Sequence, residues 1–310
     1  MDLEDKDIIK KLEHTIGKRI PLCKKSAWNL FGVIYEGNFV MELGLYNIGI
    51  DKIPEYIGDL SKIELLNLGN NKLERLPNSV GNLKTLKNFN LTNNIIKELP
   101  ESIGHLESLE ILSLNLNNIK EIPNSIGNLK NLEEFWMEDL KINKLPKSFG
   151  ELESLRFLNL NNNSLKQMPE PIYQLDNLKE LYVNKTLITN ISKDIKNLKC
   201  LNSIYLNDNA FSDFPTEILK LKQLEILSLK NCKLFEIPRS INQLKNLEIF
   251  DISHNSIKNL PESLLDLSTL KLVKIANNEF NAEANAILDE LEKSGVTIDE
   301  GIIRSRSKIS

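Results

Sequence analysis

Cysteine, histidine and tryptophan are scarce in this chain of 310 residues. Three cysteines, Cys23, Cys200 and Cys232, cannot build a disulfide scaffold, and none forms a Cys-x-x-Cys pair. Three histidines leave little material for a His-based metal site. No apolar run approaches the ~18–20 residues of a membrane span. The charged opening Met1-Asp2-Leu3-Glu4-Asp5-Lys6-Asp7 has no apolar stretch, so no secretory signal is expected. The sequons at Asn90, Asn162, Asn184 and Asn190 then read as chance products of an Asn-rich chain. A basic excess is missing too: Lys+Arg 39 stand against Asp+Glu 43, a net charge of -4, which argues against a dedicated nucleic-acid binder. There is no Gly-rich phosphate loop and no His-Glu-x-x-His. Exposed carboxylate pairs such as Glu133-Glu134 are more often solvated than cation-binding. No catalytic residue, metal or cofactor is therefore expected, and the chain reads as soluble, cytoplasmic and non-enzymatic.

What is present is a period. Ile53-Pro54-Glu55, Leu76-Pro77-Asn78, Leu99-Pro100-Glu101, Ile122-Pro123-Asn124 and Leu145-Pro146-Lys147 recur at 23-residue steps. Extended along the chain, the frame gives eleven units without insertion, the first starting at Val40 and the last at Leu270. Apolar residues fall at positions 1, 4, 6, 11, 14, 18 and 21, Asn at 9 and proline at 15; Ile63, Leu66, Leu68, Asn71, Leu73, Leu76, Pro77, Val80 and Leu83 show the pattern. Positions 4 and 6 alternate as one face of a strand must, and 14, 18 and 21 fit one face of a helical turn. One such unit cannot bury its apolar side alone, but stacked neighbours bury it as a continuous core. The Asn at position 9 is expected to bond backbone groups of the next turn's loop, with Cys232 as its substitute in the ninth unit.

Over residues 40–281 these features resemble the leucine-rich repeat family, and the L-P-x-x-I half is similar to Ras-suppressor-like and plant intracellular Ras-group repeats. The resemblance implies an α/β solenoid: a right-handed leucine-rich repeat horseshoe of eleven 23-residue repeats with a parallel sheet on its concave face. It also implies a protein-interaction role, with a small GTPase or signalling protein as partner. The alternative is a substrate-recognition component of a larger system such as a ubiquitin ligase or kinase assembly.

A solenoid needs caps over its open core ends. Residues 1–39 are expected to form the N-terminal cap. It would hold an amphipathic helix over 3–16 stopped at Gly17, a strand from Trp28 to Tyr35, a turn at Glu36-Gly37-Asn38 and a hairpin partner from Phe39 to Leu45. Trp28 is expected to plug the core end rather than to bind a ligand. Residues 282–298 are expected to form a helical C-terminal cap with Ala286, Ile287, Leu288 and Leu291 as its apolar face, stopped by Gly295. Residues 299–310, with Arg304, Arg306 and Lys308, carry no period and read as a mobile tail.

If positions 4 and 6 point into the core, 3, 5 and 7 face outward on the concave side, with 2 and 8 at its margins. Trp136, Phe157, Tyr182 and Tyr205 then lie on four successive strands, which ~4.8 Å spacing would gather into a patch about 15 Å long. Glu133, Glu134, Glu138 and Asp139 surround Trp136. An acidic surface with an aromatic centre suits a protein partner bearing exposed Arg or Lys, and disfavours nucleic acid and anionic membrane. Cross-strand stacking that merely stiffens the sheet would place the same aromatics there. The repeat rules also break nearby, at Leu140 and Thr186 in the Asn slot and Ser192 in the proline slot, as either a functional site or drift would produce.

Overall fold

The computed structural model describes residues 4–301. They form two compact units: the chain up to Leu165 with Pro169–Leu178, and Lys166–Met168 with the chain from Lys179 onward.

In the first unit, helix α1 (Asp5–Ile16) precedes a hairpin of β1 (Phe31–Glu36) and β2 (Phe39–Leu45). Five three-residue strands follow in parallel, each 23 residues after the last: β3 (Leu65–Asn67), β4 (Asn88–Asn90), β5 (Ile111–Ser113), β6 (Glu134–Trp136) and β7 (Phe157–Asn159). The second unit continues the period with β8 (Glu180–Tyr182), β9 (Ser203–Tyr205), β10 (Ile226–Ser228), β11 (Ile249–Asp251) and β12 (Leu272–Lys274). Helix α2 (Ala282–Lys293) and β13 (Thr297–Asp299), parallel to β12, complete it.

Strand alternation works as the pattern demands. Leu66, Phe89, Leu112, Phe135 and Leu158 at position 4 are fully buried, and so are the position-6 side chains that follow them. The helical turn is a single 3-10 turn after each proline. In Asn78–Asn82, Val80 points inward and Pro77 needs no N–H at the start. Successive turns pack so closely that a Cβ on Gly81 would lie 2.4 Å from the Ser102 carbonyl oxygen.

The regularly spaced Asn at position 9 has a different geometry from the one expected. Asn94 Nδ2 donates to the Leu91 carbonyl of its own coil and the Leu68 carbonyl of the preceding coil, both at 3.0 Å, and its Oδ1 accepts the Leu73 N–H at 3.0 Å. The side chain therefore ties back to the previous coil, not forward to the next. Position 8 carries a second constraint. Asn47, Asn70, Asn93, Leu116, Asp139 and Asn162 all sit in the left-handed region at φ 54–58°. Asn and Asp tolerate that conformation best among residues with side chains, which is why they recur there.

Both ends depart from expectation. Strand β1 starts at Phe31, because residues 28–30 lift over the sheet. The Leu30 carbonyl accepts the Tyr46 N–H at 3.2 Å and lies 2.2 Å from where a Cβ on Gly44 would stand, so only glycine fits beneath it. Trp28 does not plug the core; it is 76% exposed. The core end is instead covered by Ile8, Ile9 and Leu12 of α1, anchored where the buried Asp5 carboxylate accepts the Val40 N–H at 2.6 Å. Burial pushes the Asp5 carboxyl above its ordinary pKa, against the downward pull of that bond. Gly17 ends α1 at φ 66°, as its placement predicts.

At the other end, Asn281 Oδ1 accepts the Ala284 N–H and starts α2. Its buried face is Ala284, Leu288 and Leu291; Ala286 points to solvent. Asp299, assigned to the tail, ends β13 instead. Arg304, Arg306 and Lys308 lie outside the described residues.

Candidate functional site

Positions 3 and 5 of each strand bracket a buried residue and face away from the core. In the first unit this face carries Trp136 and Phe157, both half-buried, with ring centroids 4.2 Å apart and planes 33° apart. Trp136 Nε1 donates to Glu134 Oε2 at 3.1 Å, two residues back on the same face of β6. The indole is thus fixed by a ring on one side and a carboxylate at its edge.

The four acids around it have separate settings. Glu133 pairs with Arg156 at 3.4 Å. Glu138 accepts Asn159 Nδ2 at 3.1 Å, and its backbone N–H donates to Asn115 Oδ1 at 2.7 Å. Asp139 is exposed and occupies the left-handed position at φ 54°, so a backbone need accounts for its residue type. Glu134, Glu138 and Asp139 leave an acidic fringe around the Trp136 ring, where a guanidinium or ammonium could meet both π-face and carboxylate.

In the second unit, Tyr182 and Tyr205 stack with centroids 4.3 Å apart and planes 10° apart. The Tyr182 hydroxyl donates to Glu180 Oε2 at 3.1 Å. Burial, then the bond to Tyr205, pushes the Tyr182 phenol well above its ordinary pKa, with Glu180 adding to the effect. Each unit thus carries one aromatic pair on its open face. Stacking along the sheet, the stiffening role, is realised in both.

The broken repeat positions are each compensated locally. Leu140 is buried and fills the Asn slot with apolar volume. Thr186 Oγ1 donates to Asn209 Oδ1 at 2.6 Å. Ser192 caps the turn that proline would start, its hydroxyl accepting the Asp194 N–H at 3.2 Å. In the Cys232 slot, burial raises the thiol to about 12, which suits a core role for that residue. His254 sits in a left-handed position with a ring nitrogen 3.1 Å from Asn277 Nδ2, while Asp251 holds Ser253. These contacts explain the departures without a ligand.

One feature of the face was not expected. Trp28 hangs over the first unit's sheet, edge-on to Tyr46 at 5.6 Å, above a cavity of about 420 Å³. The sequence signal was Gly44 at position 5, where every neighbouring unit has a side chain able to block the overhang.

Residues 78–139 and 135–228 match a leucine-rich repeat region family, and residues 246–267 match a leucine-rich repeat. No curated protein matches the chain. Among solved structures, a leucine-rich repeat protein of Leptospira interrogans is 27% identical, with 83% of each chain covered and a TM-score of 0.53. A TDR receptor is 26% identical at a TM-score of 0.69, over 84% of this chain but only 46% of the receptor. An internalin of Listeria monocytogenes shares the fold at 16% identity and a TM-score of 0.62, covering 96% of this chain and 95% of its own. Among the described residues no helix is long and apolar enough to cross a membrane. Period, strand geometry and family match agree: this chain is a leucine-rich repeat protein.

Proposed function

We propose that the protein is a non-enzymatic interaction module that binds a protein partner through its open sheet face. In this reading residues 40–281 carry eleven repeats, with residues 1–39 capping the N-terminal end and α2 with β13 capping the C-terminal end. The carrying observation is the fixed Trp136 ring, stacked on Phe157, bonded by Glu134 and fringed by Glu138 and Asp139. Such a ring loses little entropy when a cation docks on it. Glu133 sets the margin through Arg156, and Tyr182 with Tyr205 offers a second aromatic contact in its own unit. The partner presents Arg or Lys; a small GTPase is the one suggested by the Ras-group resemblance. The free thiols of Cys23, Cys200 and Cys232 suit a reducing cytoplasm.

The test is a triple charge reversal, Glu134→Lys with Glu138→Lys and Asp139→Lys, compared with the parent in capture from native lysate at low and high salt. The parent should retain partners that salt weakens, and the variant should lose them, because rim charges act mainly on the encounter rate. Equal retention by both at every salt concentration would overturn the electrostatic assignment.

A further inference from the structure

The cavity under Trp28 has a lining unlike the Trp136 end of the same unit. It is bounded by Ser26 and Ala27 beside the indole and by Leu65, Asn67, Asn88, Asn90, Ile111 and Ser113 on β3 to β5, with no charged group among them. Trp28 is exposed, yet it is held. Its carbonyl accepts Asn67 Nδ2 at 2.7 Å, its ring meets Tyr46, and Gly44 lets the backbone pass. Asn67 Oδ1 in turn accepts Asn90 Nδ2 at 3.1 Å, which fixes both carboxamides. Among the described residues, the side chains of Asn88 and Ser113 make no hydrogen bond. The cavity therefore offers donors and acceptors without charge, set beside three apolar surfaces.

That chemistry matches a polypeptide main chain, whose amides are neutral donors and acceptors, with an apolar side chain to bury. A sugar would set its hydroxyls against Leu65 and Ile111, which have no polar atom to answer them. The register then sets the length. Asn67, Asn90, Ser113 and Trp136 are direct partners on successive strands. Three spacings of ~4.8 Å separate Asn67 from Trp136, a span that four or five extended residues cover at ~3.3 Å each.

We propose that the first unit's open face is a groove for an extended peptide segment, with an apolar residue on Trp28 and an Arg or Lys four or five residues away over Trp136, between Glu134 and Glu138. The Trp136 end rests on the proposed function; the Trp28 end stands on its own lining.

The test uses the full chain and a phage-displayed random heptapeptide library, followed by titration of the selected synthetic peptide. Trp28 and Trp136 are the two tryptophans of the chain, so Trp28→Phe and Trp136→Phe each leave one emission that reports one end. Expected are peptides pairing a large apolar residue with Arg or Lys at that separation, and emission shifts at both tryptophans. Trp28→Ala should weaken binding about tenfold or more and erase the apolar preference while the Arg preference remains. Its exposed side chain makes an unchanged thermal melt the control. Peptides selected and bound equally well by Trp28→Ala would overturn the proposal while leaving the Trp136 face intact. Peptides selected by the parent with no Arg or Lys preference, or an Arg preference kept undiminished by Trp136→Ala, would overturn the proposed function instead. Absence of any enrichment, or binding of neutral oligosaccharides in place of peptides, would overturn the groove.

Discussion

Glu134–Trp136 in the first unit and Glu180–Tyr182 in the second use one local device: an aromatic at position 5 donates to the carboxylate two residues back. Their surroundings differ. Tyr182 lies nearly parallel on a second tyrosine, and its hydroxyl is buried enough to resist ionisation. Trp136 tilts on a phenylalanine and keeps an acidic fringe in which, among the described residues, Glu138 and Asp139 have no basic partner. The tyrosine pair satisfies its own polar atoms; the tryptophan pair leaves charge for something else to satisfy. Identical placement along the repeat thus gives a pair with its hydroxyl satisfied in one unit and a pair with an acidic fringe in the other.

The largest effect should come from removing residues 1–39, which set the first unit apart. This deletion strips Ile8, Ile9 and Leu12 from the core end and removes the Asp5 bond to Val40. Because stability in a repeat array is close to a sum of nearest-neighbour terms, Leu43, Leu45 and Ile53 should lose hydrogen-exchange protection while the second unit's β10 and β11 keep theirs. Aggregation driven by the bared coil would accompany it. A fully protected first coil in the truncated chain would show that the segment is not a cap.

Next come the two rings themselves. Trp136→Ala should cost the fold only about 1 kcal/mol, the scale of one aromatic pair, yet lower partner affinity about tenfold or more. Tyr182→Ala should reverse the balance, costing the fold about 1–3 kcal/mol by stranding Glu180 and Tyr205, with a smaller effect on affinity. Thermal melts and binding titrations on both variants separate the duties. Equal losses of affinity would erase the distinction drawn between the pairs.

The strand faces and the turn after each proline were legible, because each follows from spacing that a 23-residue period repeats many times; helix α2 and the stop at Gly17 were legible from local signals, an apolar face and a glycine. Trp28 was not. Nothing periodic governs a cap, and area alone argues that a tryptophan should be buried; the decisive cue was a missing side chain at Gly44 rather than a residue present. Position 8 was overlooked for the opposite reason. Its Asn and Asp looked like ordinary polar residues, and only their common left-handed φ shows a backbone duty. Asp139 therefore carries less weight as a binding residue than its charge suggested, while Glu134 carries more.

A smaller effect concerns alkaline pH. The Tyr182 phenol is raised above its ordinary value of 10.0 in the folded chain, mainly by burial. Its contribution to stability is therefore fully present below about pH 10 and is lost as pH rises toward the folded value, since the unfolded phenol ionises first. Cys232, raised from 9.0 to about 12, and Tyr35 act in overlapping windows, so the readout is a difference between variants. Urea unfolding of the parent and of Tyr182→Phe should diverge above pH 10, with the variant declining less steeply. Parallel declines would show that the hydroxyl is not held as described.

The smallest effect should come from Leu116→Asn. Leu116 adopts φ 58° between neighbours that are Asn93 and Asp139 in the equivalent place, and its side chain is 46% exposed. A left-handed residue with an ordinary Cβ costs roughly 1–2 kcal/mol, part of which Asn recovers by local hydrogen bonding. Little burial is forfeited in exchange, because nearly half of the leucine already faces water. The net change expected is a gain of about 0.5–1 kcal/mol, read from the urea midpoint at constant slope. The reciprocal change, Asn162→Leu at φ 55°, should lose a similar amount. Both belong to the first unit, so the pair tests backbone preference against one background. If Leu116→Asn destabilises instead, the leucine is making a contact worth more than its strained backbone, and position 8 would then have to be counted, like position 5, among the places where this array trades stability for a surface.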